Sequence, residues 1–144
     1  MHTLRSRQAG VTLVELLTVV VVIAILAGIA IPSYRAYLLR ANRSDAKTSL
    51  LQLQAAQEKF YLSNSAYTTK VKDAPPAGLG MTDVTQHGYY LLTVVSDGQS
   101  YTATATPING AGQNDDKACG SFSLTDTGVR TISAAAANTE ICWK

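Results

Sequence analysis

Few side chains in this 144-residue sequence are of the types that do covalent or metal chemistry. Its two histidines are His2 and His87, and neither lies in a metal-ligand or nucleophile motif. The adjacent Asp115 and Asp116 are suited to Ca²⁺, but a calcium site takes six to eight oxygen ligands and no twelve-residue calcium-loop pattern surrounds them. The sequence therefore predicts a protein that is not an enzyme and that has no catalytic residue, metal or cofactor.

Cys119 and Cys142 are the only cysteines, and their spacing is not that of a metal site. If they bond, they close a 24-residue loop. The chain-entropy treatment of such a loop gives about 3.4 kcal/mol of stabilisation. Because disulfides persist outside the cytoplasm, an export signal would favour the bonded form over two free thiols.

Glu15 is the one charged residue in an apolar run of 21 residues from Val11 to Ile31. As a helix this run would be roughly 31 Å long, close to the hydrocarbon thickness of a bilayer. An ionised acid inside a membrane segment costs about 2.5–3.5 kcal/mol on insertion scales, so Glu15 is expected to have a partner or a function. The alternative is an acid that merely stabilises a helix N-terminus.

Arg5 and Arg7 precede the apolar run and predict a cytoplasmic N-terminus with the rest of the chain outside. An ordinary secretory signal also begins with cations. Its apolar region, however, is usually only about 7–15 residues long and has no use for a carboxylate. We therefore predict a retained anchor, with a kink or local melting around 28–32 because Pro32 lacks an amide donor and clashes with the preceding turn. A plain helix end at the membrane surface is the alternative there.

The rest of the chain predicts one amphipathic helix followed by antiparallel strands. The helix runs from Ser33 to about Leu62, with Asn64 and Ser65 as its stop signal. The face expected to be buried carries Ala46, Leu50, Leu53, Gln57 and Phe60. The predicted strands are Tyr89–Val95, Tyr101–Thr106, Gly120–Leu124 and Val129–Ile132. This order gives an α+β fold. No further ordered element is expected in the tail that follows the last strand, least of all at Ala134 to Ala137.

The aromatic side chains are expected to pack the helix against the sheet and not to stack on nucleic acid. They are Trp143 and the tyrosines Tyr34, Tyr37, Tyr61, Tyr67, Tyr89, Tyr90 and Tyr101.

The segment from Gln8 to Leu16 resembles the prepilin signature of the type IV pilin family. The resemblance implies cleavage by prepilin peptidase between Gly10 and Val11, followed by N-methylation of Val11, which stands where the family usually has Phe. It also implies that Glu15 pairs with the N-terminal amine of a neighbouring subunit and that Pro32 marks a helix break used in assembly. It extends well to about Tyr61 and more loosely beyond.

The resemblance implies the type IV pilin fold, a long N-terminal helix on a three- to four-stranded antiparallel sheet with a C-terminal loop closed by a Cys119–Cys142 disulfide. The residues around the two cysteines resemble the smaller, PilE- and ComP-like minor pilins in particular. Five segments follow: leader 1–10, membrane and filament-core helix 11–32, amphipathic half 33–62, connecting loop 63–88, and sheet with disulfide region 89–144.

The implied function is that of a minor subunit of a type IV pilus that supports adhesion, twitching motility or DNA uptake. The partners would be other pilin subunits, prepilin peptidase and the inner-membrane assembly machinery. The chain would sit in the inner membrane with its head in the periplasm and then move into an extracellular filament. A type II secretion pseudopilin shares the N-terminal signature and is one alternative.

A DNA-receptor pilin for transformation is the other alternative. The net charge of +2 gives it little support, because removing Arg5 and Arg7 with the leader leaves ten cations and ten anions. The candidate DNA contacts, if the fold brings them to one face, are Lys70, Lys72, Lys117, Arg130 and Lys144.

Overall fold

The computed structural model describes residues 10–134 and 138–144. The predicted leader therefore lies outside the described residues except for Gly10, as does most of the alanine-rich stretch near the C-terminus. The chain divides into two compact units, one ending at Tyr37 and one beginning at Leu38. The elements are α1 Leu13–Asn64, β1 Tyr90–Ser96, β2 Tyr101–Pro107, a 3₁₀ turn Gln113–Asp115, β3 Phe122–Thr125, β4 Arg130–Ile132 and α2 Thr139–Trp143.

The first unit is the N-terminal part of α1, which begins with a side-chain cap. Thr12 Oγ1 accepts a hydrogen bond from the Glu15 backbone N–H at 3.2 Å. A Thr followed three residues later by Glu is the capping-box pattern, and the acid also favours the positive end of the helix. Glu15 thus lies in the first turn of the helix, as the alternative interpretation expects. The capping bond uses its backbone N–H and not its carboxylate, so the carboxylate can still pair with another group.

The helix continues without interruption through Pro32. The prediction of local melting at 28–32 and the alternative of a helix end there are therefore wrong, and the predicted kink stays a prediction. The proline ring and its missing donor affect the carbonyl four residues earlier, which belongs to Gly28. Only one intrahelical hydrogen bond is lost in this way, and the helical bonds of the flanking turns remain.

In the second unit one face of α1 packs on the sheet. Ala46, Leu50, Leu53 and Gln57 are buried, and Phe60 is partly buried, so the predicted face is confirmed. Gln57 is a polar residue with no exposed surface, and its amide donates to and accepts from the Thr68 backbone at 2.6 and 3.1 Å. These two bonds offset its desolvation and fix the chain where it leaves the helix.

The sheet has four antiparallel strands in the order β1-β2-β3-β4. On β2 the buried residues alternate as Tyr101, Ala103 and Ala105, the period-two pattern that the sequence predicts. Ala103 pairs with Val94 on one side and Leu124 on the other. All four strands lie within two residues of their predicted bounds. The prediction that no element follows β4 is wrong, because Asn138 caps α2 by accepting from the Glu140 N–H.

Most of the aromatic side chains pack as expected. Phe122 lies between Tyr90 and Trp143, with ring centroids 6.0 and 5.7 Å away. Tyr34 and Tyr37 are exposed, so the packing prediction is wrong for these two. They belong to the first unit, and the described residues of that unit, from Gly10 to Tyr37, include no strand for them to cover.

Stability is predicted to fall above about pH 10, because burial raises the pKa of the Tyr90 and Tyr101 phenols. The unfolded chain then loses protons that the folded chain keeps, so unfolding is favoured as the pH rises. Tyr90→Phe and Tyr101→Phe should flatten this dependence, at little cost for Tyr101, whose buried hydroxyl has no hydrogen-bond partner among the described atoms. Guanidinium unfolding at pH 8 and pH 11 measures it. Tyr34→Phe is the exposed control, and an equal effect from that variant would contradict the assignment.

Candidate functional site

The first candidate site is the unpartnered apolar surface of α1. From Val11 to Ile31 the large aliphatic side chains are all exposed, with fractions between 49% and 82%. This is the one helix in the described chain that is long and apolar enough to cross a bilayer. A surface of this size does not stay in water, so it requires lipid or protein around it.

Gly10 and Val11 lie before the first helical residue, and both are exposed. A Cβ placed on Gly10 would meet no atom within 4 Å. The peptide bond between them is therefore in an accessible, non-helical segment, as a peptidase substrate requires. The role of these two residues in processing stays a prediction.

The Glu15 carboxylate is exposed and forms no ion pair within the described residues. Thr18, one turn further on, satisfies its own hydroxyl by donating to the Val14 carbonyl at 2.8 Å. The apolar surface thus carries one unneutralised charge. The requirement for a partner from another molecule remains a prediction.

The second candidate site is the disulfide-closed loop of the head. Cys119 and Cys142 are bonded, with an S–S distance of 1.99 Å and their Cα atoms 5.9 Å apart. Both residues are buried in the hydrophobic core. The predicted disulfide is confirmed, and the bond fastens α2 to the segment that leads into β3.

A buried ion pair fastens the same loop to α1. The Arg43 guanidinium donates to both carboxylate oxygens of Asp116, at 2.7 and 2.9 Å. The two side chains are only 10% and 2% exposed. Asp116 also accepts from the Cys119 backbone N–H at 3.3 Å. This two-pronged geometry offsets part of the desolvation cost of both charges and fixes the start of the loop against the helix.

Gln113 extends this polar cluster. Its amide nitrogen donates to the Leu39 carbonyl at 3.0 Å, and the side chain has no exposed surface. Elsewhere on α1, buried Asp45 accepts from His87, with the imidazole Nδ1 3.0 Å away. His87 therefore orders the loop before β1. Sequence reasoning missed Arg43 and Gln113, although Arg43 lies on the helical face that it identified as buried. It considered Asp116 as a calcium ligand and favoured a solvated loop, which is wrong for Asp116 because this carboxylate is buried against Arg43.

The five predicted DNA-contact cations do not come together. Lys70 and Lys72 lie beside the β1 edge and face acids, at 3.8 Å from Asp73 and 3.1 Å from Asp83. Arg130 is on β4, the opposite edge of the sheet. Three strand spacings separate these edges, which amounts to about 14 Å. The condition that the fold brings all five to one face is therefore not met, because the helix-to-sheet loop and the C-terminal region flank opposite edges, and the DNA contacts themselves stay a prediction.

Three of the five cations remain near the disulfide. The Arg130 guanidinium lies 5.2 Å from the centroid of the Trp143 ring, a cation–π contact. Lys144 and Lys117 each lie two residues from a bonded cysteine. Lys47 of α1 donates to the Lys144 carbonyl, and burial together with the neighbouring Arg43 charge lowers the pKa of Lys47. The Lys117 ammonium donates to the Asn114 carbonyl at 2.8 Å. Arg130 and Lys144 line one shallow cavity together with Trp143 and Glu140, and these two cations are called the β4-edge cations.

Comparisons with known families match most of the chain. Residues 32–123 match the family described as type IV minor pilin ComP, DNA uptake sequence receptor. Residues 5–31 match the prokaryotic N-terminal methylation motif. The second match covers the prepilin-like segment and the apolar run, and the first covers α1 from Pro32 to the third strand.

Individual relatives point the same way. The chain is 34% identical over 109 residues to the type IV major pilin protein PilA of Myxococcus xanthus, covering 74% of this chain and 47% of that protein. It is 32% identical over 106 residues to PilE of Neisseria gonorrhoeae, covering 74% and 61%. The type II secretion system core protein G of Klebsiella pneumoniae is 33% identical over 64 residues, covering 44% and 46%. The chain thus spans about half to three fifths of the length of these relatives.

Among solved structures, a type IV pilin from Shewanella oneidensis has 26% sequence identity and a TM-score of 0.47. The match covers 70% of this chain and 96% of that one.

Proposed function

The chain belongs to the type IV pilin family, and on that premise we propose that it is a minor subunit of a type IV pilus. Before assembly the apolar part of α1 anchors it in the inner membrane, with the head in the periplasm. Prepilin peptidase cuts between Gly10 and Val11. The inner-membrane assembly machinery then moves the subunit into an extracellular filament that serves adhesion, motility or DNA uptake.

The observation that carries this proposal is the exposed apolar surface from Val11 to Ile31. The buried apolar side chains of the second unit form a core of their own, which includes Leu50, Ala103 and Phe122. Packing against the same segment of neighbouring subunits keeps it out of water once the subunit has left the bilayer, where exposure would cost about 25 cal/mol per Å² of apolar area. The same surface fits lipid before assembly.

Glu15 gives this packing its register. Cleavage at Gly10 creates an ammonium at Val11, four residues before the carboxylate. Among apolar helices each of these charges loses its hydration, so a subunit that leaves either unpaired is strongly disfavoured. A neighbour placed so that its Val11 amine meets this Glu15 satisfies both.

Immunogold labelling of sheared filaments with antibody against the head tests the proposal. We expect labelled filaments in the parent strain and none in a strain that lacks the gene. Scattered gold would indicate a subunit along the shaft, and terminal gold a subunit at the tip. Filaments that carry no label, while the chain is present in membranes, would contradict the proposal.

DNA reception is a second candidate, favoured by the match of residues 32–123 to the ComP family. If duplex DNA binds, the β4-edge cations should contact it, because Lys70 and Lys72 already face acids. In gel-shift titrations of the full chain in detergent, Arg130→Gln with Lys144→Gln should reduce the salt slope by roughly two. Lys70→Gln with Lys72→Gln is the matched control. No shift of the parent at low salt would remove this candidate.

A secretion pseudopilin is the remaining alternative, favoured by the match to the secretion core protein G. That match covers less than half of the chain. Loss of pili without loss of protein secretion in a deletion strain would support the pilus, and the reverse would support the pseudopilin.

A further inference from the structure

Two tyrosines and an arginine directly follow the apolar run on α1. Tyr34 is 62% exposed and Tyr37 is 61% exposed. They are the only tyrosines of the described chain that lie outside the second unit. Tyrosine is enriched at the interface between membrane and water, where its ring lies at headgroup level with the hydroxyl in the polar layer.

We propose that Tyr34, Arg35 and Tyr37 form a headgroup collar, a surface that binds phospholipid headgroups on the outward side of the membrane and fixes the depth of the anchor. This inference rests on the membrane stage of the proposed function. Its partner is the headgroup layer of the bilayer, because the collar is continuous with a segment long and apolar enough to span one.

Arg35 supplies the charge of the collar. The sequence has no acid between Glu15 and Asp45, and Arg35 forms no ion pair in the part of the chain that the structure describes. An exposed guanidinium at the end of a membrane helix extends toward headgroup phosphates, which it can bind with two parallel hydrogen bonds.

The length of helix between Glu15 and the collar determines how deeply the helix lies in the bilayer. This depth is called the register of the anchor below. The structure is helical throughout this interval. Tyr34 lies nineteen residues after Glu15, and Tyr37 twenty-two, which at 1.5 Å per residue gives about 28 and 33 Å. The hydrocarbon layer is about 30 Å thick. With the collar at the outward headgroups, Glu15 therefore lies at the opposite headgroup level and keeps its hydration.

Hydropathy alone gives a different register. The apolar run from Val11 to Ile31 is centred on Val21, which would place Glu15 about 9 Å from the bilayer centre, well inside the hydrocarbon. The collar register is centred on Ile25 instead. The two registers differ by four residues, or about 6 Å.

The collar register determines the stage at which the Glu15 carboxylate loses its hydration. In the membrane the carboxylate stays hydrated, so an unassembled subunit needs no partner for it. Desolvation occurs only as the subunit leaves the bilayer for the filament, at the moment when a neighbour's amine is present. The collar thus makes charge pairing a condition of assembly and not of membrane residence.

Depth-dependent fluorescence quenching tests the register. The full chain is reconstituted in vesicles of phosphatidylcholine and phosphatidylglycerol with acyl chains brominated near the headgroup or near the bilayer centre. The variants are Val21→Trp, Ile25→Trp and Tyr34→Trp, and the parent, whose one tryptophan is Trp143, gives the background. We expect deep bromines to quench position 25 most and shallow bromines to quench position 34 most.

The outcomes separate the two proposals. Maximal deep quenching at position 21 would overturn the collar and keep the membrane stage. No quenching above the parent at any position would overturn the membrane stage itself.

A second arm removes the collar. Adding Tyr34→Ala, Arg35→Gln and Tyr37→Ala to the Val21→Trp and Ile25→Trp chains should move the deepest position from 25 toward 21, a shift of about 6 Å. Lys59→Gln, an exposed cation on α1 beyond the collar, is the matched control and should move nothing. An unchanged register in the triple variant would overturn the collar as its cause.

Discussion

Replacing Asp116 with asparagine is expected to lower the free energy of unfolding by about 3–5 kcal/mol, because it leaves the buried Arg43 charge without a counter-ion. The carboxylate now accepts two bonds from the guanidinium and one from the Cys119 N–H. A loss of this size is a large share of the about 5–15 kcal/mol by which domains are usually stable. Guanidinium unfolding of the full chain in detergent, followed by Trp143 fluorescence, measures it.

Two further variants identify the cause of that loss. Asp83→Asn breaks the exposed ion pair with Lys72 and should cost only about 0–1 kcal/mol. Arg43→Met combined with Asp116→Leu removes both buried charges and should recover most of the stability. If the double variant is as unstable as Asp116→Asn, the effect lies in packing and the ion-pair explanation is wrong.

Replacing Glu15 with alanine should reduce incorporation into filaments by about a hundredfold or more. The variant leaves the ammonium of a neighbour buried and unpaired, which lowers the free energy of association by about 3–5 kcal/mol. Quantitative immunoblots of sheared filaments and of membranes measure the ratio of assembled to unassembled chain. The membrane fraction should stay near the parent level, because the change removes a charge from the anchor.

Thr18→Val is the matched control for Glu15→Ala. It lies on the same apolar segment, keeps the size of the side chain and removes only a hydroxyl that bonds within its own helix. We expect it to assemble like the parent. Equal incorporation of Glu15→Ala and the parent would refute the pairing role.

The sequence was enough to predict the architecture, because local periodicity carries that information. The three- and four-residue steps through Leu50 and Leu53 locate the buried face of α1, and the alternation around Ala103 locates a half-buried strand. The apolar run and its prepilin-like start predicted the family, and the comparisons confirm it. The expected local melting at Pro32 does not occur, because the remaining hydrogen bonds of the helix are enough to maintain it when one donor is missing.

The polar interior of the head was not predictable in this way. Arg43 and Asp116 are 73 residues apart, and no local pattern pairs them. The only signal of this pair in the sequence is the charge of Arg43, at a position of α1 where the helical period requires burial. The separation of Lys72 from Arg130 likewise follows from strand order, which composition does not encode. The short α2 depends on a cap at Asn138 and on the Cys142 bond, so propensity alone did not indicate it.

The central claim is that this chain is processed at Gly10 and built into a pilus. Mass spectrometry of the N-terminal peptide, from chain recovered in washed, sheared filaments, tests it most directly. We predict a peptide that begins at Val11 and carries one added methyl group. Filaments that contain no peptide of this chain, or chain that still carries residues before Val11, would contradict it.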